Sequence, residues 1–127
     1  MGTVRFVHRL DKPLKNGTSP IDLIYQVSGQ RKYYRTELKL HPCSWDANIQ
    51  KAVYVDKKKA KALSADFYSL PAYNEVGDYN DYLHKLSSSI TDIEKRFKMD
   101  GISYSSEMVI EKLKIGHKER RPFQYTV

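Results

Sequence analysis

Residues 4–10 alternate by twos, with Val4, Phe6 and Leu10 on one side and Arg5 and Arg9 on the other, the mark of a half-buried strand. The next ten residues hold Pro13, Pro20 and an Asn16-Gly17 pair, which predicts an exposed loop. Alternation returns over 21–27, where Ile21, Leu23, Tyr25 and Val27 oppose Asp22, Ile24 and Gln26. A Ser28-Gly29 turn then leads into residues 30–40, with Tyr34, Thr36, Leu38 and Leu40 against Arg31, Tyr33, Arg35, Glu37 and Lys39. Three consecutive strands joined this way predict an antiparallel meander.

A sheet of that size needs its apolar face covered. The period changes at residues 78–98, where Tyr79, Leu83, Leu86, Ile90, Ile93 and Phe97 recur at steps of three and four. Asp78 is the expected N-cap of this helix and Gly101 its stop. Between sheet and helix, Pro42, Trp45 and Asp46 mark a turn, and Trp45 is expected to anchor it beneath the sheet. Lys51–Val55 reads as a short extended piece, and Asp56 as the cap of a basic helix over 57–63; residues 66–77 carry no period. A last helix is predicted over 106–115, followed by a charged tail. The fold class is therefore α+β: a three-stranded antiparallel sheet packed on a long C-terminal helix, with a short helix after it. The expected division is 1–100 as one domain and 101–127 as linker helix and tail.

Charge sharpens the picture because it is unevenly spread. Residues 1–61 hold 13 Lys and Arg against 5 Asp and Glu, a net +8, whereas 62–127 hold 9 against 10. One half is a basic surface suited to a polyanion and the other an ordinary scaffold. By parity Arg5, Arg9, Gln26, Arg31, Tyr33 and Arg35 share the face of the sheet turned away from the helix. A sheet or ribbon can enter the major groove of B-DNA, where Arg pairs with guanine, Gln with adenine, and Tyr reaches a phosphate or a thymine methyl. Lys12, Lys15, Lys32, Lys39, Lys51, Lys57, Lys58 and Lys59 are the candidate phosphate contacts, which hold without reading. The alternative on parity alone is the wet side of an ordinary antiparallel sheet.

Other chemistry finds little footing. His8, His41, His84 and His117 share no ligand spacing, and no Gly-rich phosphate loop, paired-carboxylate cleft or Ser nucleophile elbow is present. His117 and Arg120 have an H-x-x-R spacing with Tyr125 beyond, but one such spacing arises by accident about one time in five, and the tail leaves too little chain for a catalytic fold. No enzyme, metal, cofactor or small-molecule substrate is expected. The lone Cys43 fits a reduced cytoplasm, and no apolar run nears the roughly 18 residues of a membrane span. Ten tyrosines raise a single-strand or RNA alternative, for which Tyr33 is the best placed; Tyr25, Tyr34, Tyr79 and Tyr82 read as core or its rim. A protein-interaction module is the remaining alternative.

The ordered set Val4-Arg5-Phe6, Leu10-Asp11-Lys12-Pro13, Lys15 through Ile21, Gly29 through Tyr33, Arg35-Thr36 and Trp45-Asp46 resembles the arm-type DNA-binding domain of tyrosine-recombinase integrases from conjugative transposons and related phages, over about residues 4–100. The resemblance implies a three-stranded sheet on a C-terminal helix, the free sheet face docking in the major groove of arm sites. It also implies downstream core-binding and catalytic domains, for which this stretch has no room, so an excised or truncated chain is expected. Glu37, where such sequences often have Gly, and the long segment 49–78 depart from the pattern.

Overall fold

A computed structural model of the chain describes residues 2–14 and 17–119. Its centre is the expected meander: β1 (Thr3–His8), β2 (Ser19–Val27) and β3 (Gln30–Leu40), paired antiparallel in that order. The β2–β3 turn works because Ser28 and Gly29 both take positive φ, 51° and 76°, which matches the twist of a two-residue hairpin. Near the other end the register slips between Pro20 and Asp22. There the Thr36 hydroxyl donates to the Ile21 carbonyl at 2.7 Å and accepts from the Leu38 N–H at 3.3 Å, so Thr36 replaces part of the missing ladder.

β1 is shorter than its alternation predicts. The Leu10 N–H turns back on the His8 carbonyl at 2.9 Å, and Leu10 is 56% exposed rather than part of the apolar face. His8 takes its place on the inner side, opposite Ile21, with its Nε2 2.8 Å from the Leu40 carbonyl. Alternation marks a strand's parity but not where the chain leaves the sheet.

Two helices cover the inner face: α2 (Tyr73–Met99) and α3 (Ser106–Glu119), with the short α1 (Lys57–Ala62) earlier in the chain. Asp78 is not the N-cap of α2, which starts five residues earlier at Tyr73, where the Glu75 carboxylate accepts from the Ala72 N–H at 2.9 Å. Val76 extends the apolar stripe a further turn, buried with Trp45, Leu38 and Leu83, so residues 73–77 are helical despite Gly77. The residues before it contain a 3-10 turn at Phe67–Ser69. At the far end Gly101, at φ 69°, lets its N–H and that of Ile102 close on the Lys98 and Phe97 carbonyls, a Schellman stop.

Leu23, Tyr25 and Tyr34 from the sheet, Leu86, Ile90 and Phe97 from α2, and Val109, Ile110 and Leu113 from α3 form one buried cluster. The last helix is thus built into the sheet's own core. A small hairpin, β4 (Trp45–Asp46) with β5 (Lys51–Ala52), is held to α2 by Asn80, whose carboxamide bonds both the N–H and the carbonyl of Ala52, at 2.8 and 3.0 Å. Asp56 caps α1 as expected, and α1 sits over a separate small cluster of Val55, Ala60 and Leu70. Among the described residues no helix is long and apolar enough to cross a membrane.

Candidate nucleic-acid interface

Because the helices take one side of the sheet, the other side is free of helix among the described residues, and the register assigns its occupants. Three rows cross it: Thr3, Gln26 and Arg31; Arg5, Ile24 and Tyr33; Val7, Asp22 and Arg35. Arg9 lies just past β1, its N–H donating to the Pro20 carbonyl at 2.9 Å. The six residues expected on this face therefore all stand on it. Arg5, Arg31, Tyr33 and Arg35 are exposed, and Arg9 and Gln26 are half-buried.

The face is not a uniform cationic lawn. At its centre the Asp22 carboxylate, with a side chain only 3% exposed, is roofed by two guanidiniums. Arg35 donates to it from both Nε and Nη2, and Arg9 donates from Nη1 at 2.9 Å. Arg9 also reaches Asp11, Nε to Oδ1 at 3.1 Å and Nη2 to Oδ2 at 3.2 Å. These contacts, Asp11's hydrogen bond first, raise the Arg9 pKa further above its ordinary value, and Asp11's is lowered chiefly by the same bond. Arg9 additionally stands 5.9 Å from the centroid of the Tyr33 ring. At the hairpin end Arg31 Nη2 lies 3.4 Å from Gln26 Oε1. Between these polar groups Ile24 is buried and Tyr33 is 48% exposed, leaving an apolar strip flanked by arginines.

The lysines distribute differently. Lys39 has the parity of the free face, opposite Pro20. Lys32 pairs with Tyr25 and so has the parity of the helix side, exposed at the hairpin end. Lys12 is exposed in the β1–β2 loop, Lys51 is exposed in β5, and Lys15 lies outside the described residues. Lys57, Lys58 and Lys59 are exposed on α1, where Lys57 Nζ sits 5.4 Å from the Tyr68 ring centroid and 5.7 Å from that of Phe67.

Asp22 is the residue that sequence reasoning left out. Parity puts it on the free face, and an acid amid arginines was the available signal, but only the register brings Arg35 directly opposite it. Arg120 and Tyr125 lie outside the described residues, as does the side chain of His117. The described residues contain no group of three His, Cys, Asp or Glu able to hold a metal ion.

The family model of the arm DNA-binding domain matches residues 6–110, which take in all of β2 and β3 and the whole of α2. The chain belongs to the arm DNA-binding domain family. Arm DNA-binding domains are DNA-binding modules of integrase-type recombinases, and the matched span runs from β1 into α3. Comparison with curated proteins and with solved structures finds no match.

Proposed function

We propose that this arm DNA-binding domain binds arm-type sites in double-stranded DNA as the N-terminal module of a tyrosine-recombinase integrase, with the free face of β1–β3 in the major groove. The observation that carries this reading is the gathering of Arg5, Arg31, Tyr33 and Arg35, with Gln26 and Arg9, on the sheet face that no helix among the described residues covers. Groove width suits a β-ribbon, and these side chains match the donor and acceptor edges of guanine and adenine. Lys12, Lys15, Lys32, Lys39, Lys51, Lys57, Lys58 and Lys59 supply phosphate contacts around it.

In this reading residues 1–100 hold the arm site and 101–127 lead toward core-binding and catalytic domains of a parent integrase in the cytoplasm, the chemistry residing in those domains. Holding an arm site and a crossover site with one protein raises effective concentration without any new contact. Because α3 is packed into the domain core, it connects the two as a rigid lever rather than a loose tether.

Gel-shift titration with duplex, single-stranded and RNA probes at two salt concentrations tests the reading. Duplex is expected to be preferred, with log K falling against log salt by about 0.9 per phosphate contacted. A flat salt response, or a preference for single strands, would overturn it.

A further inference from the structure

The free face carries an asymmetry between its two central arginines. Arg9 commits Nε and Nη2 to Asp11 and Nη1 to Asp22, so every nitrogen of its fork is engaged within the protein. Arg35 is engaged along one edge only, through Nε and Nη2 to Asp22, and its side chain is half exposed. Among the described residues no partner of Arg35 Nη1 is found, so that end of the fork, together with the second hydrogen of Nη2, is the donor pair left over. Two guanidiniums against the carboxylates of Asp11 and Asp22 leave this cluster without net charge, which suits it poorly to gripping phosphate. Directed donors in a fixed place are what a base edge requires. Arg5, exposed on the same face, makes no ion pair among the described residues and has the freedom that a phosphate contact tolerates.

Building on the DNA-binding reading above, we propose that Asp22 is a specificity-determining positioning residue: it fixes Arg35 so that the free end of its guanidinium reads O6 and N7 of a guanine, while Arg9 braces the pair and does not itself read. Asp22 reaches DNA only through Arg35. Its place in the middle strand, between Val7 and Arg35, makes it a rigid pivot, since β2 is hydrogen-bonded on both sides. Arg9 closes the assembly from the β1 side and stands beside the Tyr33 ring, so one carboxylate also orders the neighbouring aromatic.

Asp22→Asn tests this, because it keeps shape and an acceptor oxygen while removing the charge that holds both guanidiniums. The probes are a duplex enriched from a random-sequence library by the wild-type chain and a random-sequence duplex. Affinity for the enriched duplex is expected to fall about tenfold, the worth of a lost guanine contact. Affinity for random duplex is expected to rise instead, and the salt slope to steepen by about 0.9, because a freed arginine becomes a phosphate contact. Damage to the fold would weaken both probes together and cannot produce this divergence. The same selection repeated with the variant is expected to lose its guanine at one position.

Nitrogen-15 relaxation of the arginine Nε–H groups in the wild-type chain provides a readout independent of any substitution. Arg35 and Arg9 are expected to be ordered before DNA is added and Arg5 mobile. Site preference unchanged in a folded Asp22→Asn, or Arg35 as mobile as Arg5, would overturn the inference while leaving duplex binding standing. Failure of the wild-type chain to bind duplex at all would overturn both.

Discussion

Asp22 and Glu94 are both buried carboxylates, and the protein satisfies them in opposite ways. Asp22, on the free face, is met by the guanidiniums of Arg9 and Arg35. Glu94, on α2 behind the sheet, is met by neutral donors: the Tyr25 hydroxyl at 2.6 Å and the Gly2 N–H at 2.8 Å. Charge-paired groups keep the field and directionality of their donors near the surface, where another molecule can meet them. Neutral donors satisfy an acceptor and offer nothing outward. Two carboxylates of one kind thus distinguish an outer face that keeps charged donors at the surface from a core that is closed by neutral ones.

The comparison predicts where substitutions register, stability behind the sheet and recognition in front. The largest effect belongs to Leu23→Ala, one residue from Asp22 but on the inner side, which opens a cavity against α2 and α3. It is expected to lose about 2–5 kcal/mol in urea unfolding and to bind weakly only because less protein is folded. Glu94→Ala strands the Tyr25 hydroxyl and the Gly2 N–H, and about 1–3 kcal/mol of stability is expected to go with them. An Ala at 94 as stable as wild type would dissolve the contrast. Arg31→Ala, on the free face, should leave unfolding nearly unchanged and weaken the enriched duplex by about 1–2 kcal/mol, with random duplex much less affected.

Alkaline titration probes the core from another side. Burial, then the hydrogen bond to Glu94, pushes the Tyr25 pKa above its ordinary 10.0, and burial raises Tyr104 in the same direction. The native state therefore holds protons that the unfolded chain releases. This stability is fully present below about pH 10 and is lost as pH rises above it, by at most about 1.4 kcal/mol per pH unit for the fully buried Tyr25. Tyr25→Phe should flatten that slope in pH-dependent unfolding. The smallest effect is expected of Lys58→Ala, which should weaken all duplexes by one similar factor and lower the salt slope by about 0.9. A change of site preference there would mean that α1 reads as well as holds.

Much of this was legible in the residues because both sheet faces obey a period of two. That period gave the strands, the helix-covered side and the six residues of the free face. Boundaries were harder. Leu10 continues the alternation on paper, yet the backbone has already turned at His8, a hydrogen-bonding event that side-chain polarity does not record. Gly77 hid the first turn of α2 because helix propensity is local, whereas the burial of Val76 against Trp45 depends on contact between distant segments. Asp22 escaped notice for the same reason: its importance lies in the register with Arg35 and in the reach of Arg9 around the strand end. The sequence shows which residues share a face, and pairing decides which of them hold one another.

Gln50 carries a different consequence. From a position with φ 54°, its carboxamide oxygen accepts the Phe6 N–H of β1 at 2.8 Å, a donor that points off the outer edge of the sheet. An open edge strand is a template on which further strands can stack. A single amide stands in for a fourth strand at that donor. That one position of the edge is thereby closed to a strand from another copy of the chain, by a side chain that arrives from outside the three-stranded sheet.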